Sequence, residues 1–208
     1  MSDDAFDQSS WERRWAQVLR DSPEKLATRP PSPYLGEVAH LTPGRALDAG
    51  CGHGSEAIWL AASGWRVTAV DFSATALDIG RSTAAAAAAD LAERIEWVQG
   101  DLGTWTPTPG GFDLVSCLYV HVAGSVVEMV GRLAGGVAPG GTLLLVGHRP
   151  VDPVTGAPTP AAGQVQVSVD EAIAALDAPA WDIAVAEDRP RSAARTGVDA
   201  VIRAVRRG

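Results

Sequence analysis

Residues 47–54 read Leu47-Asp48-Ala49-Gly50-Cys51-Gly52-His53-Gly54, and Val67-Thr68-Ala69-Val70-Asp71 closes 17 residues after the last of these glycines. The apolar run Arg45-Ala46-Leu47 feeds three glycines spaced two apart, and Ser55–Ala62 follows with Ile58, Ala61 and Ala62 at helical spacing. Glycine admits positive φ and lets backbone approach a ligand where a Cβ would collide. A strand, a glycine turn and a helix N-terminus in that order make a nucleotide-binding cradle. An acid about 20 residues on, ending the next strand, is placed to bind ribose hydroxyls. Asp71 occupies that place.

The glycine spacing separates two ligand classes. The dinucleotide fingerprint is G-x-G-x-x-G, but here Ser55 stands three after Gly52 and Gly54 comes one position early. The pattern is Asp-x-Gly-x-Gly-x-Gly, with Asp48 two residues before Gly50. It resembles motif I of the class I S-adenosylmethionine-dependent methyltransferases, with Asp71 as the acidic end of motif II. A carboxylate there suits a cofactor bearing an ammonium and a sulfonium rather than a pyrophosphate. The resemblance implies S-adenosylmethionine as cofactor, held by Asp48, Gly50, Gly52, Gly54, Asp71 and Phe72. It extends to Val98-Gln99-Gly100-Asp101-Leu102, where the family's acid accepts a hydrogen bond from the adenine amino group and the next backbone N–H meets a ring nitrogen. An aspartate capping a turn is the competing reading of Asp101. Phe112-Asp113-Leu114-Val115-Ser116-Cys117-Leu118-Tyr119 resembles motif IV and adds Cys117 to the expected cofactor contacts. Pro139-Gly140-Gly141-Thr142-Leu143-Leu144-Leu145-Val146 resembles motif V. The Asp-Pro-Pro-Tyr and Asn-Pro-Pro-Tyr tetrapeptides of enzymes that methylate DNA bases or protein glutamine are absent, which points to a small-molecule acceptor.

Composition agrees. A chain of 208 residues suits one α/β domain with a full core, and its 46% hydrophobic and 20% charged residues are ordinary for a globular protein. The formal charge of −8 disfavours nucleic acid, whose binders carry a basic face. The one cationic cluster, Arg203, Arg206 and Arg207, reads as a solvated strand end. No apolar run approaches the roughly 18 residues of a membrane span, and the acidic start Met1-Ser2-Asp3-Asp4 is no secretory signal. Cys51 and Cys117 read as small residues in a reducing compartment, so a cytoplasmic protein is expected. No metal site is expected.

Between Arg45 and His148 strand and helix alternate, as a doubly wound parallel sheet requires. Strands are predicted at Arg45–Ala49, Arg66–Asp71, Ile95–Gln99, Asp113–Tyr119 and Thr142–Gly147. Helices are predicted at Ser55–Ala62, Ala74–Ala89, Val126–Ala134 and Val169–Leu176. Trp181–Glu187 and Val198–Val205 lack a helix between them and should pair as an antiparallel hairpin. The resemblance implies a Rossmann-like, seven-stranded, mostly parallel sheet of order 3-2-1-4-5-7-6. Residues 1–43, with the helical stripe Trp11, Trp15, Val18 and Leu19 and the proline-rich turn before Tyr34, read as a cap on a methyltransferase domain over 44–208. Arg149–Gln166, 18 residues rich in Pro, Gly and Ala, is long for a loop, and such loops are functional or disordered.

His121 and His148 follow the fourth and fifth strands, where ligands of open α/β sheets bind. A neutral imidazole there is placed to take a proton from a nucleophile, although a lone histidine near a strand end is more often structural. His40 and His53 have weaker claims. Trp11 and Trp15 share a helix face, either covering the cofactor or packing the segment on the domain. Trp11-Glu12-Arg13-Arg14-Trp15 and Gly64-Trp65-Arg66-Val67-Thr68-Ala69-Val70-Asp71-Phe72-Ser73 are similar to the small bacterial tellurite-resistance and thiopurine-type methyltransferases. The tellurite enzymes carry a His-Arg pair in the final hairpin; here Asp188-Arg189-Pro190-Arg191 has arginines and no histidine. The sequence leads to a methyltransferase acting on a small molecule. The alternative is a protein that binds S-adenosylmethionine or S-adenosylhomocysteine without transferase activity.

Overall fold

The computed structural model describes residues 8–21, 29–121, 124–163, 165–191 and 197–208. The chain forms two compact units, Met1–Trp105 and Thr106–Gly208.

The first unit begins with α1 (Gln8–Asp21) and a 3-10 turn at Pro33–Glu37, so the described part of the expected cap belongs to this unit. It continues with β1 (Arg45–Ala49), α2 (Ser55–Ala62), β2 (Arg66–Asp71), α3 (Ala74–Ala87), α4 (Ala89–Ala92) and β3 (Ile95–Gln99). β1 runs parallel to β2 from Arg45↔Arg66 to Ala49↔Val70, and β2 runs parallel to β3 from Val67↔Ile95 to Asp71↔Gln99. That register brings Ala49, Asp71 and Gln99 to the carboxyl ends of their strands. The second unit holds β4 (Phe112–Leu118), α5 (Val126–Gly135), β5 (Val137–His148), α6 (Val169–Ala175), β6 (Trp181–Pro190) and β7 (Val198–Arg206). β4 and β5 are parallel, and β7 pairs antiparallel with both β5 and β6. The strand order is β3-β2-β1-β4-β5-β7-β6, the mostly parallel arrangement with a terminal hairpin that the resemblance implies.

Local chemistry sets the element ends. Ser73, Ser125 and Ser168 cap α3, α5 and α6 by accepting the backbone N–H of Ala76, Glu128 and Glu171, and Glu171 returns the favour to the Ser168 N–H. α2 has no side-chain cap; it starts at Gly54, whose φ is +85°. Ala46, Leu47 and Ala49 on β1 and Leu143, Leu144, Leu145 and Val146 on β5 are buried. Such unbroken apolar runs mark strands covered on both faces.

Three boundaries differ from the sequence reading by more than one residue. The helix expected to Ala89 ends at Ala87, Ala88 turns to extended backbone (φ −167°, ψ 143°), and α4 restarts the helix. Alanine favours helix but carries no stop signal. β5 begins at Val137 rather than Thr142, so the Pro139-Gly140-Gly141 turn lies inside the strand, where pairing with β4 shifts register between Phe112 and Leu114. A Cβ on Gly141 would stand 3.0 Å from the Asp113 carbonyl oxygen, so only glycine lets the strands close there. β6 runs on to Pro190. Through residue 163 the long loop after β5 is ordered by its own bonds: Val151 bridges Pro158, and the Asp152 carboxylate accepts the N–H groups of Val154 and Thr155.

Gly80, inside α3, is a packing residue. A Cβ there would meet the Trp97 ring at 2.5 Å and the His53 carbonyl oxygen at 3.1 Å. Alanine normally gains about 1 kcal/mol over glycine in a helix. Gly80→Ala should instead destabilise this fold by about 1–3 kcal/mol, the usual effect of overpacking, as a lower urea midpoint with unchanged m.

Candidate functional site

In the first unit the glycine turn hangs from the end of β2. Gly50, Gly52 and Gly54 all lie at positive φ (78°, 53° and 85°). The N–H groups of Gly50 and Cys51 donate to the Val70 carbonyl at 2.8 and 3.0 Å. Asp71 then locks the turn to the next helix: Oδ2 accepts the Gly52 N–H at 2.9 Å and Oδ1 accepts the Ser73 N–H at 2.9 Å. An ionised carboxylate has about four lone-pair sites, so each oxygen retains capacity for a further donor. Asp48, at the end of β1, is buried as well. Burial pushes the Asp71 carboxyl above its ordinary range; the Ser73 and Gly52 N–H groups pull the other way, and the Glu12 carboxylate adds to the rise. Two buried acids beside a glycine turn favour a ligand that brings hydroxyl donors and positive charge. S-Adenosylmethionine has that donor set.

The same turn explains its other members. Burial, with Asp48 and Asp71, pushes the Cys51 thiol well up, so it stays protonated and unreactive. Burial and then Arg29 lower His53 to about 4; its Nε2 lies 2.9 Å from the Ser55 hydroxyl, a structural pairing. Gly54 is required by packing as much as by φ, because a Cβ there would fall 2.4 Å from the Trp97 ring. Gly52 faces Trp15 of α1, whose ring would stand 3.1 Å from an added Cβ and lies 5.4 Å from the His53 ring centroid. Glu12, one helical turn before, accepts the Ala74 N–H at 2.6 Å. α1 therefore lies across the glycine turn through Trp15 and Glu12. The Trp11 side chain falls outside the described residues.

The Phe72 carbonyl accepts from the Gln99 amide at 3.1 Å. Asp101 is exposed, and its Oδ1 accepts the Gly103 N–H at 2.8 Å. Asp101 thus caps a turn, while Leu102 is buried. Cys117 is buried in the penultimate position of β4.

The second unit gathers a cluster at the ends of β4 and β5. His148 and Asp199 are direct partners across β5 and β7, with Nδ1 of His148 2.8 Å from Oδ1 of Asp199. Arg191 donates to the same oxygen through Nε (2.9 Å) and Nη2 (2.7 Å), and also touches Nδ1 of His148. The Tyr119 hydroxyl donates to Asp199 Oδ2 at 3.1 Å, and its ring lies 4.1 Å from that of His148. Burial alone would raise the Asp199 carboxyl, but the hydrogen bonds and charges of His148 and Arg191 more than offset it and hold the group at about 2. Gln166 binds the strand ends together. Its Oε1 accepts the His148 N–H at 2.6 Å, and its Nε2 reaches the Tyr119 carbonyl at 3.2 Å and His121 Nε2 at 2.6 Å. The backbone partners fix the amide orientation, so Gln166 donates to His121 and occupies the lone pair a base needs.

His148 and His121 were legible from their place after strands. Tyr119, Gln166, Arg191 and Asp199 join them only through the tertiary structure. One signal was available: Asp199 is the lone charge in Val198-Asp199-Ala200-Val201-Ile202, an otherwise apolar strand. Among the described residues no group of three His, Cys, Asp or Glu side chains is arranged to hold a metal ion, and no helix is long and apolar enough to cross a membrane.

Residues 46–141 match the family model described as a methyltransferase domain. Trans-aconitate 2-methyltransferase of Paracidovorax citrulli (strain AAC00-1) is 32% identical over 137 residues, 63% of this chain and 49% of that protein. The chain spans about half or less of the length of the curated relatives it matches. Among solved structures, magnesium protoporphyrin IX methyltransferase of Synechocystis PCC 6803 with bound cofactor superposes with a TM-score of 0.65 at 20% identity, over 99% of this chain and 98% of that one. The [4+2]-cyclase SpnF gives a TM-score of 0.62 at 17% identity, over 100% of this chain and 85% of that one. At these identities the structural likeness is one of fold.

The environment of Asp199 sets an acid limb of stability. Its folded value of about 2 lies below the ordinary 3.8, so its contribution is fully present above pH 4 and is lost as pH falls through about 2. The difference is worth about 2 kcal/mol at neutral pH. Urea unfolding of Asp199→Asn at pH 5 and pH 2.5 should show a shallower loss toward acid than the parent protein.

Proposed function

We propose, from the match of residues 46–141 to the methyltransferase-domain family, that this protein transfers a methyl group from S-adenosylmethionine to a small-molecule nucleophile. The observation that carries the reading is the Asp71 latch: a buried carboxylate that shapes the glycine turn and keeps acceptor capacity for ribose hydroxyls. Asp48, Gly50, Gly52 and Gly54 complete the cradle, with Phe72, Asp101 and Leu102 as further cofactor contacts of this unit. When bound, the cofactor supplies a methyl group already activated on a positively charged sulfur.

The chain's own part is to bind, orient and exclude water. Holding the reacting groups in line supplies much of the acceleration of a displacement. Trp15 and Glu12 place α1 over the cradle, a position suited to shielding it. For an acceptor that carries a proton, His148 is the base in this reading. His121 is the weaker candidate because Gln166 engages its Nε2. A small acceptor is favoured by the formal charge of −8, and the relative named for trans-aconitate gives a precedent. A cytoplasmic location fits two buried cysteines that form no disulfide.

One observation favours a second reading. SpnF, named as a [4+2]-cyclase, shares this fold, so the fold by itself does not require methyl transfer. Isotope-labelled S-adenosylmethionine with a panel of phenols, amines, thiols and halides separates the two. Label in an acceptor supports the transferase, and tight binding with no labelled acceptor supports the alternative.

Two variants test the cradle by calorimetry with S-adenosylhomocysteine. Asp71→Ala removes charge-assisted bonds each worth roughly 1.5–3 kcal/mol, so affinity should fall at least tenfold; unchanged affinity would sink the assignment. Because the carboxylate also latches Gly52 to Ser73, this variant should lose stability too. Gly52→Val puts a branched side chain into the turn and against Trp15, and binding should vanish. Tight NADH binding with none for S-adenosylhomocysteine would overturn the cofactor.

A further inference from the structure

We propose that Asp199 is the positioning residue that makes His148 a proton acceptor, and that the methyl acceptor is accordingly a neutral hydroxyl or amine rather than an already ionised thiolate. This rests on the transferase reading above and deepens it.

Three independent features converge on the orientation of one imidazole. Asp199 is a carboxylate with 1% exposure in a strand whose neighbours Val198, Ala200, Val201 and Ile202 are all buried. A buried charge persists only when paired and hydrogen-bonded, and its partners are the His148, Arg191 and Tyr119 side chains. Tyr119 is the one non-glycine residue at positive φ (61°) among the described residues. A left-handed tyrosine is strained, and such strain collects at functional sites. Here it accompanies a ring set at 36° to His148 and a hydroxyl on Asp199. Gln166, also buried, holds the His148 backbone N–H.

The proton on the imidazole decides the chemistry. Asp199 calls for a proton on Nδ1, and Arg191, a pure donor, calls for a lone pair there. Arg191 already directs Nε and Nη2 at Asp199 Oδ1, and an anionic oxygen is the stronger partner for an N–H. Nδ1–H therefore wins. The Nε2 lone pair is then left on a side chain that is 26% exposed. Other charges nearby are Arg149, which follows His148 and lies 3.2 Å from Asp188, and Arg189, the cross-strand partner of Asp199, which donates to Glu187. In the step this assigns, the acceptor's O–H or N–H proton passes to Nε2. Its electron pair stays on the acceptor atom and forms the bond to the methyl carbon while the methyl–sulfur bond breaks, that pair going to sulfur and S-adenosylhomocysteine leaving as a neutral thioether; the imidazolium is stabilised by the Asp199 carboxylate. Such an aspartate orients the ring without itself taking the proton.

The first test needs neither cofactor nor substrate. Nitrogen-15 NMR of the full, ligand-free chain above pH 8 reads which ring nitrogen of His148 carries the proton. Protonated Nδ1 is expected, and a proton on Nε2, with Arg191 donating to Nδ1, overturns the proposal. The second uses Asp199→Asn with labelled S-adenosylmethionine and a panel of phenols, alcohols, amines and thiols. Hydroxyl or amine acceptors should be methylated, with kcat about 10²-fold lower in the variant and S-adenosylhomocysteine affinity unchanged. Thiols as the sole acceptors, or an unchanged kcat, overturns it. Failure of the parent protein to bind S-adenosylhomocysteine removes the transferase reading instead, whichever nitrogen is protonated.

Discussion

The cradle depends on one carboxylate. Asp71 ends β2, takes the Gly52 N–H on one oxygen and the Ser73 N–H on the other, and so joins a glycine turn to the start of α3. Ser73 in turn caps that helix. The turn needs positive φ at every second residue, which glycine tolerates but does not prefer strongly enough to choose one path. An acceptor at a defined point is what selects the path. The group that shapes the turn is thus a buried carboxylate, and both of its oxygens are engaged by the chain's own backbone.

Asp199 is built by the same rule with the opposite outcome. Both acids are buried at a strand terminus, and burial by itself raises a carboxyl in either place. Around Asp71 the compensation comes from backbone N–H groups, opposed by another acid, and the carboxyl stays raised. Around Asp199 it comes from an arginine and a histidine, and the carboxyl is driven down to about 2. Asp71 thus keeps an incompletely compensated buried carboxylate, while Asp199 is satisfied by cationic partners from within the chain. The first suits binding and the second suits holding a neighbour in place.

Glycines illustrate why a motif and its cause need to be separated. Gly50, Gly52 and Gly54 share positive φ, yet Gly54 is closed off by Trp97 and Gly52 by Trp15. Aromatic side chains from β3 and α1 fill the space that missing Cβ atoms leave. Part of what reads as a ligand signature is a packing solution.

The sequence by itself determined the architecture and the cradle, because both rest on local periodicity and short spacing. Helix α2 and strands β1, β2 and β3 fall on the expected residues, and the strand order follows the resemblance. Asp48, the three glycines and Asp71 lie within 24 residues of one another, where a pattern is readable without knowing the fold. Boundaries slipped where local signals were silent: an alanine run that breaks at Ala88, and a glycine pair that continues β5 through a register shift. The second cluster was decided by tertiary structure alone. Tyr119, His148, Gln166, Arg191 and Asp199 come from four separate stretches, and strand pairing of β5 with β7 sets His148 opposite Asp199. No spacing along the chain encodes that meeting; cross-strand register does, because a shift of one residue would turn Asp199 to the other face of the sheet.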